Sequence, residues 1–257
     1  MNALRNMLFL AVAAGLLVGV AMTVMQYYFT VPIILAAETY EGAEAPADQG
    51  HGSAAEVGAS SEQGHATTAE AAAPDDHDPN AWAPADGFSR SAFTFLANVV
   101  TAVGFGLLLV AASEFAGGIR TWRQGIFWGL AGFAVFVLAP DLGLSPGLPG
   151  VPAAEVGARQ TWWIGTALAT AAGLALMVYG RSFAFGALGA LLLIVPHLIG
   201  APQPPSYESP VPEGLHHQFA VAVTVTNFAF WMLLGGAVAT LRPRFAAGLA
   251  TPSERMA

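Results

Sequence analysis

The chain has no cysteine and no lysine, and only 10% of its 257 residues are charged. Each absence removes a class of chemistry. Without cysteine there are no disulfides, no thiolate zinc or iron–sulfur sites and no redox dithiols. Without lysine there is neither the phosphate-binding lysine of a Walker A loop nor the amine of a Schiff-base or pyridoxal phosphate enzyme, and all nine basic residues are arginine. A soluble domain carries about a quarter charged residues. The shortage of charge, set beside 55% hydrophobic residues, therefore describes a polytopic membrane protein. No Ser-His-Asp or HExxH arrangement occurs, and the glycine pattern VGFGLLL lies inside an apolar run with no strand before it. The reading is accordingly not an enzyme and not a nucleic-acid binder.

What the sequence does have is a series of apolar runs, and about 20 such residues cross the hydrocarbon core as a helix. The runs are residues 6–31, 90–112, 124–139, 160–179, 182–195 and about 217–241, which predicts an all-α fold with six transmembrane helices in contact with the lipid bilayer. A cleavable signal peptide has an apolar region of about 7–15 residues. The first run is longer, so it is expected to stay as a helix, although Leu35-Ala36-Ala37 resembles a cleavage site. Within it Ala11, Gly15, Gly19 and Thr23 recur every fourth residue, a smooth stripe that a second helix can approach closely. Asn98 and Asn227 fall inside spans, where uncharged polar groups hydrogen-bond across helices for about 0.6 kcal/mol.

Three regions follow: a first helix over 1–35, an acidic outer loop over 36–88, and a five-helix membrane region over 89–257 ending in a cytoplasmic tail. The loop carries His51, His65 and His77, has many acidic residues and few apolar ones, and is expected to be largely disordered. Arginine placement sets the orientation. With both termini cytoplasmic, Arg5, Arg120, Arg123, Arg181, Arg242, Arg244 and Arg255 lie inside, and Arg90 and Arg159 outside. All six histidines and every acid except Glu114 and Glu254 then face outward, a surface that attracts cations. A faint repeat joins LAPDLGLSP after the third run to IVPHLIGAP after the fifth, and places Asp141 and His197 at equivalent depths.

Chemistry is expected around 195–219, where Pro196-His197 closes one run and His216-His217 opens the next. Proline ends or kinks a helix, which would put His197 beside unpaired carbonyls, with the three imidazoles converging from adjacent spans. Imidazole is a common ligand of divalent transition metals. Glu38 and Glu41, just beyond Pro32, share a face if the helix resumes there. The candidate metal site is therefore His197, Asp141, Glu38, Glu41, His216 and His217, a nitrogen and oxygen set suited to Co, Ni, Zn or Mn. Met22, Met25 and Gln26 form a softer alternative suited to Cu(I), with ordinary packing as the plainer explanation.

The strings AGLLVG, AAETYE, WAPADGF, LANVVTAVGFGLLL, GIFWGLAGFAVFVLAPDLGLSPGLPG, ARQTWW and PHLIGAP resemble the CbtA family of predicted cobalt transporter subunits, over nearly the whole chain outside the acidic insert. The resemblance implies Co²⁺ as the transported ion with no tightly bound cofactor, uptake across the inner membrane linked to cobalamin synthesis, and a small one-span, histidine-bearing CbtB-like partner, with oligomerisation left open. Its motif positions fall on Glu38, Glu41, Trp82, Asp86, Asp141, Trp162, Trp163, Pro196, His197 and Asn227. His216 and His217 lie outside the strongest strings. The alternatives are a non-transporting scaffold or metal-delivery subunit, and a permease for another divalent or copper cation.

Overall fold

A computed structural model of the chain describes residues 2–41 and 87–245, and all regular elements among them are helices. In order they are α1 (Asn2–Phe29), α2 (Val31–Glu41), α3 (Phe88–Phe115), α4 (Trp122–Phe133), a π-helical turn (Ala134–Leu138), α5 (Ala139–Asp141), α6 (Val156–Tyr179), α7 (Phe183–Ile199) and α8 (Glu213–Phe245). Five stretches are long and apolar enough to cross a membrane: Leu4–Phe29, Phe88–Phe115, Trp122–Asp141, Val156–Tyr179 and Glu213–Phe245. The helix corresponding to the fifth predicted run, Phe183–Ile199, is apolar but has only 17 residues.

The helices alternate in direction. Asn6 of α1 donates its side-chain N–H to the carbonyl of Phe245 at the end of α8, so the start of one helix lies beside the end of the other. At the opposite end, Ala37 of α2 packs in one apolar cluster with Val211 and Phe219. Gly15 and Gly19 of α1 lie against the backbone of Val103 and Val99, which makes α3 antiparallel to α1. A methyl group at either glycine would sit 2.7 Å from the facing Cα, closer than side chains pack, so the small-residue stripe read from the sequence is the α1–α3 contact. The same device joins α4 to α8, where Gly125 meets Gly235 and Gly129 meets Trp231, and α6 to α7, where Gly173 meets Gly189. Between α1, α3, α4 and α8 lies the main core, with Leu10, Val18, Val110, Phe133, Trp231 and Leu234. Phe136 stacks on Trp231 at 5.5 Å between ring centres.

At the end that holds both described chain termini, α3 stops in a Schellman motif: the N–H of Gly118 reaches the carbonyl of Ser113 and that of Gly117 reaches Glu114. This turn holds Glu114 against Arg242, at 2.7 Å. Thr121 and Gln124 then start α4 with a reciprocal capping box.

Three local features turn on proline. After Thr30 the helix resumes as α2, the condition on which Glu38 and Glu41 share a face, with Pro32 at its second position where a missing N–H costs little, and it runs to Glu41. The helix containing Pro196 does not end there but continues to Ile199, stopping at Gly200 with a φ of 85°. His197 therefore lies in the last turn of α7. Pro140 is also carried inside helical backbone. The π turn ahead of it, in which the N–H of Ala139 reaches back to Ala134, widens the helix where a proline ring would otherwise crowd the carbonyl four residues earlier.

Candidate functional site

The end of the bundle away from the described chain termini is closed by α2 and by the two proline-rich connectors, residues 142–155 and 200–212. Leu148 and Val211, one from each connector, pack with Ala37 and Phe219. The Ser209 hydroxyl donates to the carbonyl of Gly150 at 2.8 Å, tying the connectors together. Glu155 caps α6 here, its two oxygens accepting from the N–H groups of Gly157 and Ala158 at 2.8 and 2.7 Å. Those backbone donors hold the Glu155 carboxyl below the ordinary carboxylate range.

Of the six candidate ligands, His197 touches Trp162, and the connector that follows Asp141 meets the same residue. His197 lies edge-on to the Trp162 ring at 6.0 Å between centres. The connector after Asp141 passes directly over the same indole, where a side chain at Gly143 would strike the ring of Trp162 and come within 3.1 Å of Ala201 in the connector after His197. Asp141 is half-buried and makes no ion pair or hydrogen bond among the described residues. The proline-ended exits singled out in the sequence thus meet at the mouth of α6. The repeat does not extend to packing, since α6 and α7 lie against each other along their length while α3 packs chiefly on α1 and α4 on α8.

The other candidates stand apart from this pair. His216, half-buried, and His217, exposed, occupy the first turn of α8. The main packing partners of α8 are α4 and α1, whereas that of α7 is α6, so the expected convergence of the three imidazoles from adjacent helices is corrected: α7 and α8 do not pack on each other. Glu38 pairs with Arg90 at 2.6 Å, which satisfies its charge from within the chain. Glu41 is three residues on in the same helix, as expected, but its side chain lies outside the described residues, as do His51, His65, His77, Trp82 and Asp86. Among the described residues no three His, Asp or Glu side chains come together as a metal-holding group.

Met22 is buried in the main core and Met25 packs against it, the ordinary role of methionine. Gln26 accepts from Asn98 at 2.7 Å, and Asn98 also donates to Thr23 at 3.0 Å, so this polar group inside α3 is satisfied across the helix contact. Asn227 bonds within its own helix, to the carbonyl of Val223. One further feature was not legible beforehand: among the described residues three buried polar atoms, Trp162 Nε1, Thr166 Oγ1 and Thr170 Oγ1, have no hydrogen-bond partner.

In comparison with known proteins, a family model described as "Probable cobalt transporter subunit (CbtA)" matches residues 4–242, nearly the whole chain. No curated protein and no solved structure matches.

Proposed function

We propose, because this chain belongs to the CbtA family, that it takes up Co²⁺ across the inner membrane as one subunit of a transporter that supplies cobalamin synthesis. In this reading all six long helical segments cross the bilayer, α7 included. α6 ends and α8 begins at opposite ends of the bundle, so α7 would connect the two surfaces with its 17 residues, a length at the short limit of about 17–25 residues for a span. Both termini lie in the cytoplasm, with the arginine-rich turns. The acidic segment between α2 and α3 raises the local cation concentration outside, and a small one-span, histidine-bearing subunit completes the assembly.

The observation that carries the reading is that the chain exits after Asp141, a carboxylate with no partner among the described residues, and after His197, an imidazole, meet at Trp162 at the acid-rich end. One oxygen and one nitrogen donor suit a borderline divalent ion that keeps part of its water shell. Glu38 and Glu41 contribute at the rim, Glu38 only after exchanging Arg90, and His216 and His217 stand across the same surface.

A second reading, a scaffold or metal-delivery subunit that does not itself transport, is favoured by the absence of any three-ligand group among the described residues. Purified protein in liposomes, assayed for radioactive Co²⁺ uptake with and without the one-span partner, separates the two. Uptake is expected, and His197→Phe, which keeps a ring against Trp162 but removes the ligand nitrogens, should weaken apparent Co²⁺ affinity about tenfold. No uptake from folded protein in either condition sinks the transport reading. Uptake by the phenylalanine variant with parental affinity removes His197 from the site.

A further inference from the structure

Most of the described threonines in the helices of this protein return their proton to the carbonyl four residues back, as Thr23, Thr94, Thr224 and Thr226 do. Thr166 and Thr170 do not: the residues are 1% and 2% exposed, and their hydroxyls, like the nearby buried Trp162 Nε1, have no partner among the described residues. These residues recur every fourth position, so they form one row on α6. Trp162 and Gly173 of that helix face α7, through His197 and Gly189. Trp163 faces the π turn, through Phe136 at 6.1 Å. Thr166 and Thr170 lie between these two directions, in the crevice where α6, α7 and the π turn meet.

A buried polar group without a partner is costly, and three in one row inside an apolar bundle are not left dry when water can reach them. A buried water needs two to four polar partners, and this row offers an indole donor and two hydroxyls that donate or accept. We infer that the crevice along Trp162, Thr166 and Thr170 is hydrated: a water-filled path that admits small hydrophilic cations from the Asp141–His197 mouth to a depth of about 12 Å along α6, at 1.5 Å per residue. It rests on the proposed function only in taking that mouth as the outer entry. In it the Trp162 N–H holds the first water and the hydroxyls hold those beyond.

The absence of native cysteine allows a direct test in the full-length protein in intact cells. Thr166→Cys and Thr170→Cys are treated from outside with silver ion, a small thiol-reactive cation, beside Ser206→Cys on the outer connector and Leu168→Cys on the exposed side of α6. The two threonine-site thiols are expected to react within about tenfold of the rate at Ser206→Cys, and Leu168→Cys more than about a hundredfold slower. If Thr166→Cys fails to reach the membrane, Thr170→Cys, one turn deeper, carries the same measurement. Row thiols as slow as Leu168→Cys, with Ser206→Cys reactive, overturn the hydrated path and leave the hydroxyls as packing. Co²⁺ is expected to slow the silver reaction at Thr166→Cys. Fast reaction that Co²⁺ does not slow supports the water path and counts against cobalt as the ion that enters it.

Discussion

Glu155 and His197 both stand at helix ends on the acid-rich side, and their surroundings differ. The Glu155 carboxylate has two backbone donors, and folding lowers its pKa. A depressed carboxylate contributes stability that is present above its unfolded value and is lost as pH falls through the folded one. Glu155→Gln, neutral at every pH, is therefore expected to melt below the parent in detergent at pH 7, with the gap closing as pH drops below about 4.5. A gap unchanged down to pH 3 would mean that the charge of the cap is irrelevant. The places of His197 and Asp141 at helix ends were legible in the sequence, since each is a polar residue beside a proline at the end of an apolar run. Trp162 stood among the motif positions of the resemblance, but nothing singled out Thr166 and Thr170. A threonine in an apolar helix ordinarily satisfies itself, and only the packed neighbourhood reveals one that does not.

At the scale of helices, apolar length located every long segment, and the spacing of Ala11, Gly15 and Gly19 identified the α1–α3 contact. The equivalent glycines of α4 and α8 went unread although Gly125 and Gly129 have the same four-residue spacing, because glycine is abundant throughout the chain. The π turn was illegible for a different reason: it answers the geometry of Pro140, and a proline in a run reads equally well as an end. Two adjacent glycines of α8 isolate the value of close approach. A methyl at Gly235 would strike the carbonyl of Gly125, whereas one at Gly236 would meet nothing within 4 Å. Gly235→Ala is expected to destabilise the solubilised protein by about 1–3 kcal/mol, while Gly236→Ala, gaining helix propensity, should be neutral or stabilising by up to about 1 kcal/mol. Equal melting temperatures for the two variants would show that α4 and α8 are not in backbone contact.

For the molecule as a whole, the number of crossings and the position of the termini are one question, because an even number returns the chain to the side where it began. The sequence supplied six runs, and the fold supplies the alternation of direction that makes α7 connect opposite ends of the bundle despite its length. Ser182 and Ser206 flank that helix and are exposed. An impermeant thiol reagent applied to intact cells should label Ser206→Cys and spare Ser182→Cys, whereas labelling of both would place Phe183–Ile199 on one surface. The acidic segment contributed nothing to this count, since residues 42–86 lie outside those described. The order of contacts also has a mechanical side. α3, α1, α8 and α4 form one plate and α6 with α7 a second, and apart from the proline-rich connectors the plates meet chiefly where the π turn and α5 touch α6. The glycine-lined helix contacts all lie within one plate or the other, so a rigid tilt of the hairpin about that seam would break none of them, and the seam is where a load on the hairpin would be felt first.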